Sequence, residues 1–151
     1  MTTIRLSTAA DIPALAAIAD ETLFPGDMLA DMLGPFLDGD PDVLWMTALH
    51  DDTAGGFSFS QVEPLTDGTW NMKALAVSPT LRRSGLGRAL VEETERSPRA
   101  RSGRLILIDT SSDPAQATAR AFYPALGYRH MSTLPDFWSE GEDKLSYLKV
   151  L

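Results

Sequence analysis

Residues 74–93 run Ala74-Leu75-Ala76-Val77-Ser78-Pro79-Thr80-Leu81-Arg82-Arg83-Ser84-Gly85-Leu86-Gly87-Arg88-Ala89-Leu90-Val91-Glu92-Glu93. An apolar strand stops at Ser78-Pro79. A loop with two arginines and two alternating glycines follows, and a helical pattern begins at about Gly87. Glycine has no Cβ, so Gly85 and Gly87 let backbone N–H groups approach a bulky anion. The start of a helix leaves further N–H donors unpaired, with a partial positive charge, at the same place. Strand, glycine loop and helix start in that order make a site for a phosphate or pyrophosphate.

Two common phosphate loops do not fit. A Walker A loop needs lysine and a hydroxyl after its last glycine, and here Arg88-Ala89 follows. A dinucleotide fingerprint needs a third Gly or Ala, where this chain has Leu90, and it belongs to a first βα unit instead of the middle of the chain. Arg82-Arg83-Ser84-Gly85-Leu86-Gly87 does resemble the Arg/Gln-x-x-Gly-x-Gly/Ala pyrophosphate loop of the GCN5-related N-acetyltransferases (the GNAT family), which holds coenzyme A. By itself the loop also fits an ordinary strand-to-helix turn with solvated arginines.

The downstream sequence narrows this. Arg104-Leu105-Ile106-Leu107-Ile108-Asp109 is short, apolar and β-branched, as in a strand buried on both faces. Asp113-Pro114 opens a helix, acid at the N-cap and proline in the first turn. That helix runs to Leu126 and stops at Gly127. Its end, Phe122-Tyr123-Pro124-Ala125-Leu126-Gly127-Tyr128, resembles the Phe-Tyr-x-x-Leu-Gly-Phe/Tyr signature of the same family, at the usual distance from the glycine loop. The resemblance covers residues 4–151, strongly from 70 to 130.

The chain has 151 residues, 44% of them hydrophobic, which suits one domain over 1–151. No apolar run approaches the ~18 residues of a membrane helix, and Met1-Thr2-Thr3-Ile4-Arg5 does not open a signal peptide. A cytoplasmic protein with no membrane partner is the expectation. There is no cysteine, which rules out thiolate metal sites and an acyl-cysteine intermediate. Two histidines make a histidine-rich metal site improbable. Charge is unevenly placed. Residues 1–72 hold twelve acids and one base, whereas residues 73–129 hold ten bases and five acids. The basic part coincides with the phosphate loop. The acidic part is expected to attract a cationic amine and to repel nucleic acid, although most of its carboxylates are ordinary solvated ones. Asp38, Asp40 and Asp42 read as a turn cluster.

Patterning predicts strands at Ile4–Ser7, Val43–Leu49, Phe57–Val62, Thr69–Val77, Tyr128–Leu134 and Lys144–Val150, besides the apolar run at 104–109. A helix capped by Asp11 is expected to about Glu21, and a second from about Asp27 to Leu37. The resemblance implies an α/β (α+β) GNAT fold: a seven-stranded, mixed, mostly antiparallel sheet with splayed central parallel strands and helices on both faces.

It also implies a site. Leu75, Ala76 and Val77 would meet the pantetheine arm of acetyl-CoA through main chain. Arg82, Arg83, Ser84, Gly85, Leu86, Gly87 and Arg88 would hold its pyrophosphate, and Tyr123 would assist the departing thiolate. Many members carry a glutamate on the strand before the loop. Trp70-Asn71-Met72-Lys73-Ala74-Leu75 has none, so Asp109 is the first candidate for the base and Glu63 the second; a capping or turn role for Asp109 stays open. The stretch Leu134-Pro135-Asp136-Phe137-Trp138 is expected as a loop over the acceptor side, its rings walling an amine pocket or making a subunit contact in a homodimer. Two functions of different kind fit: acetyl transfer from acetyl-CoA to a small-molecule or peptide amine without a covalent enzyme intermediate, or a coenzyme A-binding module with little activity.

Overall fold

The computed structural model describes residues 1–151, the side chain of Pro98 excepted. Seven strands, β1 (Thr2–Leu6), β2 (Val43–His50), β3 (Thr53–Val62), β4 (Thr69–Val77), β5 (Leu105–Ser111), β6 (Arg129–Ser139) and β7 (Glu142–Val150), form one sheet in the order β1-β2-β3-β4-β5-β7-β6. Every neighbouring pair is antiparallel except β4 with β5. Helices α1 (Ile12–Thr22), α2 (Leu29–Leu37), α3 (Leu86–Arg96), α4 (Pro98–Arg101) and α5 (Ala117–Ala125) complete the domain. No helix is long and apolar enough to cross a membrane.

Side chains of successive strand residues point to opposite faces, and β3 shows both coverings. The Phe57 ring meets Phe24 of the α1–α2 connection at 6.3 Å between centroids and stacks with Trp45 at 5.5 Å. The hydroxyl of its neighbour Ser58 lies 3.2 Å from that of Thr94 in α3. So α1 and α2 cover one face and α3 the other. On the first face the apolar residues of α1 and α2 meet the aromatic stack of Trp45, Phe57 and Phe59, and Leu15, Leu29 and Leu33 are fully buried there. On the second face Leu86, Leu90 and Val91 of α3 are as deeply buried, because i, i+4, i+5 spacing keeps them on one side of the helix.

Several local features depart from the sequence pattern. Asp11 occupies the N-cap position of α1, but its side chain makes no capping hydrogen bond to that helix. A 3-10 turn (Ala9–Asp11) precedes that helix, and the Asp11 carboxylate turns back to the Arg5 guanidinium, at 2.7 and 2.8 Å, and to the Thr8 N–H. The bidentate arginine outweighs a neutral cap bond. The second helix begins at Leu29, two residues after its expected start, because a 3-10 turn (Gly26–Met28) occupies the intervening residues. The largest correction concerns 134–138, which are not a loop. Strand β6 runs on to Ser139, and residues 135–138 form a wide bulge between the Leu134–Lys144 and Ser139–Glu142 pairings. Asp136 holds it, with φ +55°, its N–H on Asp143 Oδ1 and its own Oδ1 accepting the Gly141 N–H.

The sheet divides at its centre. Strands β4 and β5 pair only from Thr69–Leu105 to Met72–Ile108. Beyond that, β4 stays with β3 up to Val77 and β5 stays with β7 up to Ser111, with no pairing between the two. A bulge at Lys73, which the β3 register skips between Ala74 and Met72, starts the divergence. Bulges bend a strand and raise its local twist, so β4 turns away from β5 beyond Met72.

Candidate active site

The glycine loop at 82–88 has the backbone construction expected of it: a strand, a turn with left-handed residues, then a helix start. Arg83 and Gly85 take left-handed backbone conformations, φ +66° and +89°. Gly85 is the N-cap of α3, and its C=O accepts the Ala89 N–H as the first bond of the helix. The N–H groups of Gly85, Leu86, Gly87 and Arg88 find no partner among the described residues. Four unpaired amides at a helix start, in a chain that alternates hand, form an anion-binding concavity. The loop itself is braced: the Leu81 N–H donates to the Ser78 C=O at 2.9 Å, and the Ser84 hydroxyl donates to the Leu81 C=O. Arg82 and Arg83 are exposed, and Arg88 reaches Glu92 one turn on, at 3.2 Å.

Leu75, Ala76 and Val77 lie on the edge of β4 that β5 has left. Alternate backbone N–H and C=O groups along such an edge have no strand to pair with. This edge leads straight into the loop. A Cβ placed on Gly87 would lie 3.5 Å from the Phe122 ring and 3.8 Å from Val77, so the end of β4, the start of α3 and helix α5 meet there.

Helix α5 ends in a double hydrogen-bonded cap. The Tyr128 N–H donates to the Tyr123 C=O at 3.1 Å and the Gly127 N–H to the Pro124 C=O at 3.0 Å, with Gly127 at φ +92°. Such a cap brings the residues at its two ends together, and the Tyr123 and Tyr128 rings lie 6.1 Å apart. Tyr147 of β7 flanks Tyr123 at 6.0 Å. Only 7% of Tyr123 is exposed, and burial pushes its phenol up to about 12. Its hydroxyl makes no hydrogen bond among the described residues. The Tyr128 hydroxyl is used structurally: it donates to Glu95, which also receives Lys149 at 3.1 Å, and burial first, then the Glu95 carboxylate, raises the Tyr128 phenol far above the usual value.

Asp109 is the first residue of β5 beyond the last β4 pairing. Its Oδ1 accepts the Ser146 hydroxyl at 2.5 Å and its Oδ2 the Asn71 amide at 3.4 Å, with Lys144 Nζ 3.9 Å from Oδ2. The same Asn71 Nδ2 donates to Glu63 at 2.6 Å, and Lys73 Nζ is 3.7 Å from that Glu63 oxygen. Ser146 and Tyr147 are successive residues, so Asp109 and Tyr123 approach the fork from opposite faces of the sheet. The two sides meet only where β4 and β5 part.

Asn71, Lys144 and Ser146 were not singled out from sequence. The one available signal was an asparagine within an otherwise apolar stretch of β4; Lys144 and Ser146 belong to the cluster only through the β5–β7 register. The two rings expected over the acceptor side have partners within the chain. Lys144 Nζ already lies 4.2 Å above the Phe137 ring, and the Trp138 indole donates to the Thr110 C=O at 3.3 Å.

A model of the acetyltransferase (GNAT) domain matches residues 41–130. A protein of the GNAT family from Desulfovibrio desulfuricans superposes with a TM-score of 0.89 at 27% identity over 99% of both chains. Two less similar proteins share the fold. One is an aminoglycoside 6'-N-acetyltransferase complexed with coenzyme A (TM-score 0.82, 19% identity, 98% of this chain and 96% of that one). The other is the ribosomal-protein-S18-alanine N-acetyltransferase of Escherichia coli (TM-score 0.77, 23% identity, 99% and 94%).

Proposed function

The chain belongs to the GNAT family of acetyltransferases, and from that premise we propose that it transfers an acetyl group from acetyl-CoA to the amine of a small molecule or peptide by direct attack. The observation that carries this is the parting of β4 from β5 after Met72 and Ile108, with an unpaired strand edge that leads into four unpaired amides. The residues fit the coenzyme. Gly85 through Arg88 offer main-chain donors to a pyrophosphate, and Arg82 and Arg83 offer charge beside them. Leu75, Ala76 and Val77 offer backbone groups to a pantetheine amide, which adds to the edge as a strand would. When bound, acetyl-CoA supplies the thioester carbon that the amine attacks.

The chain's own residues have the remaining work. An alkylamine with pKa near 10.4 costs about 4–5 kcal/mol to deprotonate at neutral pH, so a base must take its proton as attack begins. Asp109 stands at the fork for that role, held by Ser146 and Asn71. The Tyr123 hydroxyl, protonated and free of other partners, serves as hydrogen-bond donor to the sulfur that leaves. Full proton transfer from a phenol raised by burial is uphill, so donation without transfer is its role. Strand β4 carries no acid, which favours a second function, coenzyme binding with little turnover.

Thiol release separates the two. Protein, acetyl-CoA and a panel of amines should yield free thiol in proportion to acetylated product. Tight coenzyme binding without thiol release from any amine would overturn the transferase function.

A further inference from the structure

Across the fork the polar groups stand in the order Lys73, Glu63, Asn71, Asp109, Lys144, with a cation at each end and the two carboxylates on either side of the neutral amide. Two anions face two cations, so the inner site has no excess charge; the acidic surplus of residues 1–72 lies mostly on exposed positions. A site that accepted only a cation would need surplus negative charge where the cation sits. Two polar groups in the cluster also lack partners. Asn71 is 2% exposed, and its Oδ1 accepts nothing, while both neighbouring carboxylates hold its Nδ2. Turning the amide over would set its oxygen against Glu63, so Oδ1 keeps its orientation. Lys144 has only 19% of its side chain exposed, and its contact with Asp109, 3.9 Å, is beyond hydrogen-bond length. The ammonium donates no hydrogen bond among the described residues, and the Phe137 ring holds it in place. An acceptor without a donor and a donor without a protein acceptor thus flank Asp109, and the first, Asn71 Oδ1, is costly to bury unfilled.

Building on the acetyltransferase function of this same site, we infer that the acceptor is a zwitterion, a free α-amino acid or close analogue. Its carboxylate binds Lys144, and its ammonium faces Asp109 and Asn71 Oδ1. The ammonium gives one proton to Asp109. Its nitrogen bonds to the acetyl carbon as the C–S bond breaks, and the second proton that the nitrogen must lose passes to the thiolate, leaving an N-acetyl amino acid and free thiol. A plain amine or an amino ester can donate to Asp109 but leaves Lys144 without an acceptor.

The test compares amino acids with their methyl esters and with the corresponding decarboxylated amines, each with acetyl-CoA and thiol detection. For at least one amino acid, kcat/KM should exceed that of its ester and its amine by about tenfold or more, the usual cost of stranding a polar group in a site. Lys144→Met should bring that ratio to within about threefold of one, whereas Lys144→Arg, which keeps a cation for the carboxylate, should retain it. The ratio within each variant does not depend on how much of that variant folds. Equal rates for acid, ester and amine in the wild-type protein would overturn the inference and leave the transferase function standing. Absence of thiol release from every amino acid, with release from an amine, would do the same. Absence of release from every acceptor would overturn both.

Discussion

Ser146 Oγ donates to Asp109 Oδ1 at 2.5 Å, across a register that places the two residues opposite each other on β7 and β5. The bond fixes the carboxylate at the first position where β5 has lost β4. Asp109→Asn should lower kcat/KM by about a hundredfold or more, as expected for a positioned base, without weakening coenzyme binding in calorimetry. Ser146→Ala should have a smaller effect, with kcat reduced more than KM. Wild-type turnover in Asp109→Asn would remove Asp109 from the chemistry.

Tyr123→Phe deletes one hydroxyl and leaves the aromatic cluster in place. We expect kcat to fall by at least about tenfold with Tm nearly unchanged, since a single lost donor to developing charge has an effect of this order or larger. The phenol is raised from 10 to about 12 in the folded protein, so its stabilising contribution is fully present below pH 10 and is lost as the pH rises from about 10 to 12. Circular dichroism across that range should show alkaline unfolding that sets in later in Tyr123→Phe.

Gly85→Ala tests the loop. A Cβ at Gly85 would meet nothing within 4 Å, yet φ is +89°, so the cost is backbone strain of about 1–2 kcal/mol instead of a clash. If the helix start shifts to relieve it, the four amides no longer converge. Coenzyme affinity should weaken by about tenfold in calorimetry, more than the small loss of Tm implies. Unchanged affinity would mean that these amides do not carry the pyrophosphate.

Asp11 predicts the behaviour in acid. The Arg5 guanidinium is the first cause that holds its carboxyl at about 2, below the ordinary 3.8. A depressed acid contributes stability that is fully present above pH 3.8 and disappears as pH falls toward 2, worth about 2 kcal/mol when intact. Arg5→Ala should therefore move the acid-unfolding midpoint upward, while Asp11→Asn should lower stability at neutral pH and flatten its dependence between pH 4 and 2.

Much of this was present in linear order. Gly85 and Gly87 after an apolar strand, and Phe122-Tyr123 with Gly127 at a helix end, fix an anion loop and a helix cap by conformational constraints that act within a few residues. The bounds of β4, Thr69–Val77, came out as the sequence suggested, because apolar alternation is a local property. The long extension of β6 was hidden, since Pro135 and Asp136 look like a loop until Asp143 and Gly141 supply their hydrogen-bond partners.

Sequence alone therefore determined the glycine loop proposed to hold the coenzyme, whose residues are contiguous and whose geometry backbone dihedrals dictate. The polar cluster proposed for the acceptor was decided by tertiary structure. Asn71, Asp109, Lys144 and Ser146 come from three strands, Glu63 follows the end of β3, and they meet because pairing register sets which side chains share a face, while a bulge at Lys73 opens the sheet between them. Register depends on contacts between segments far apart in the chain, and no local pattern encodes which lysine will stand beside which carboxylate.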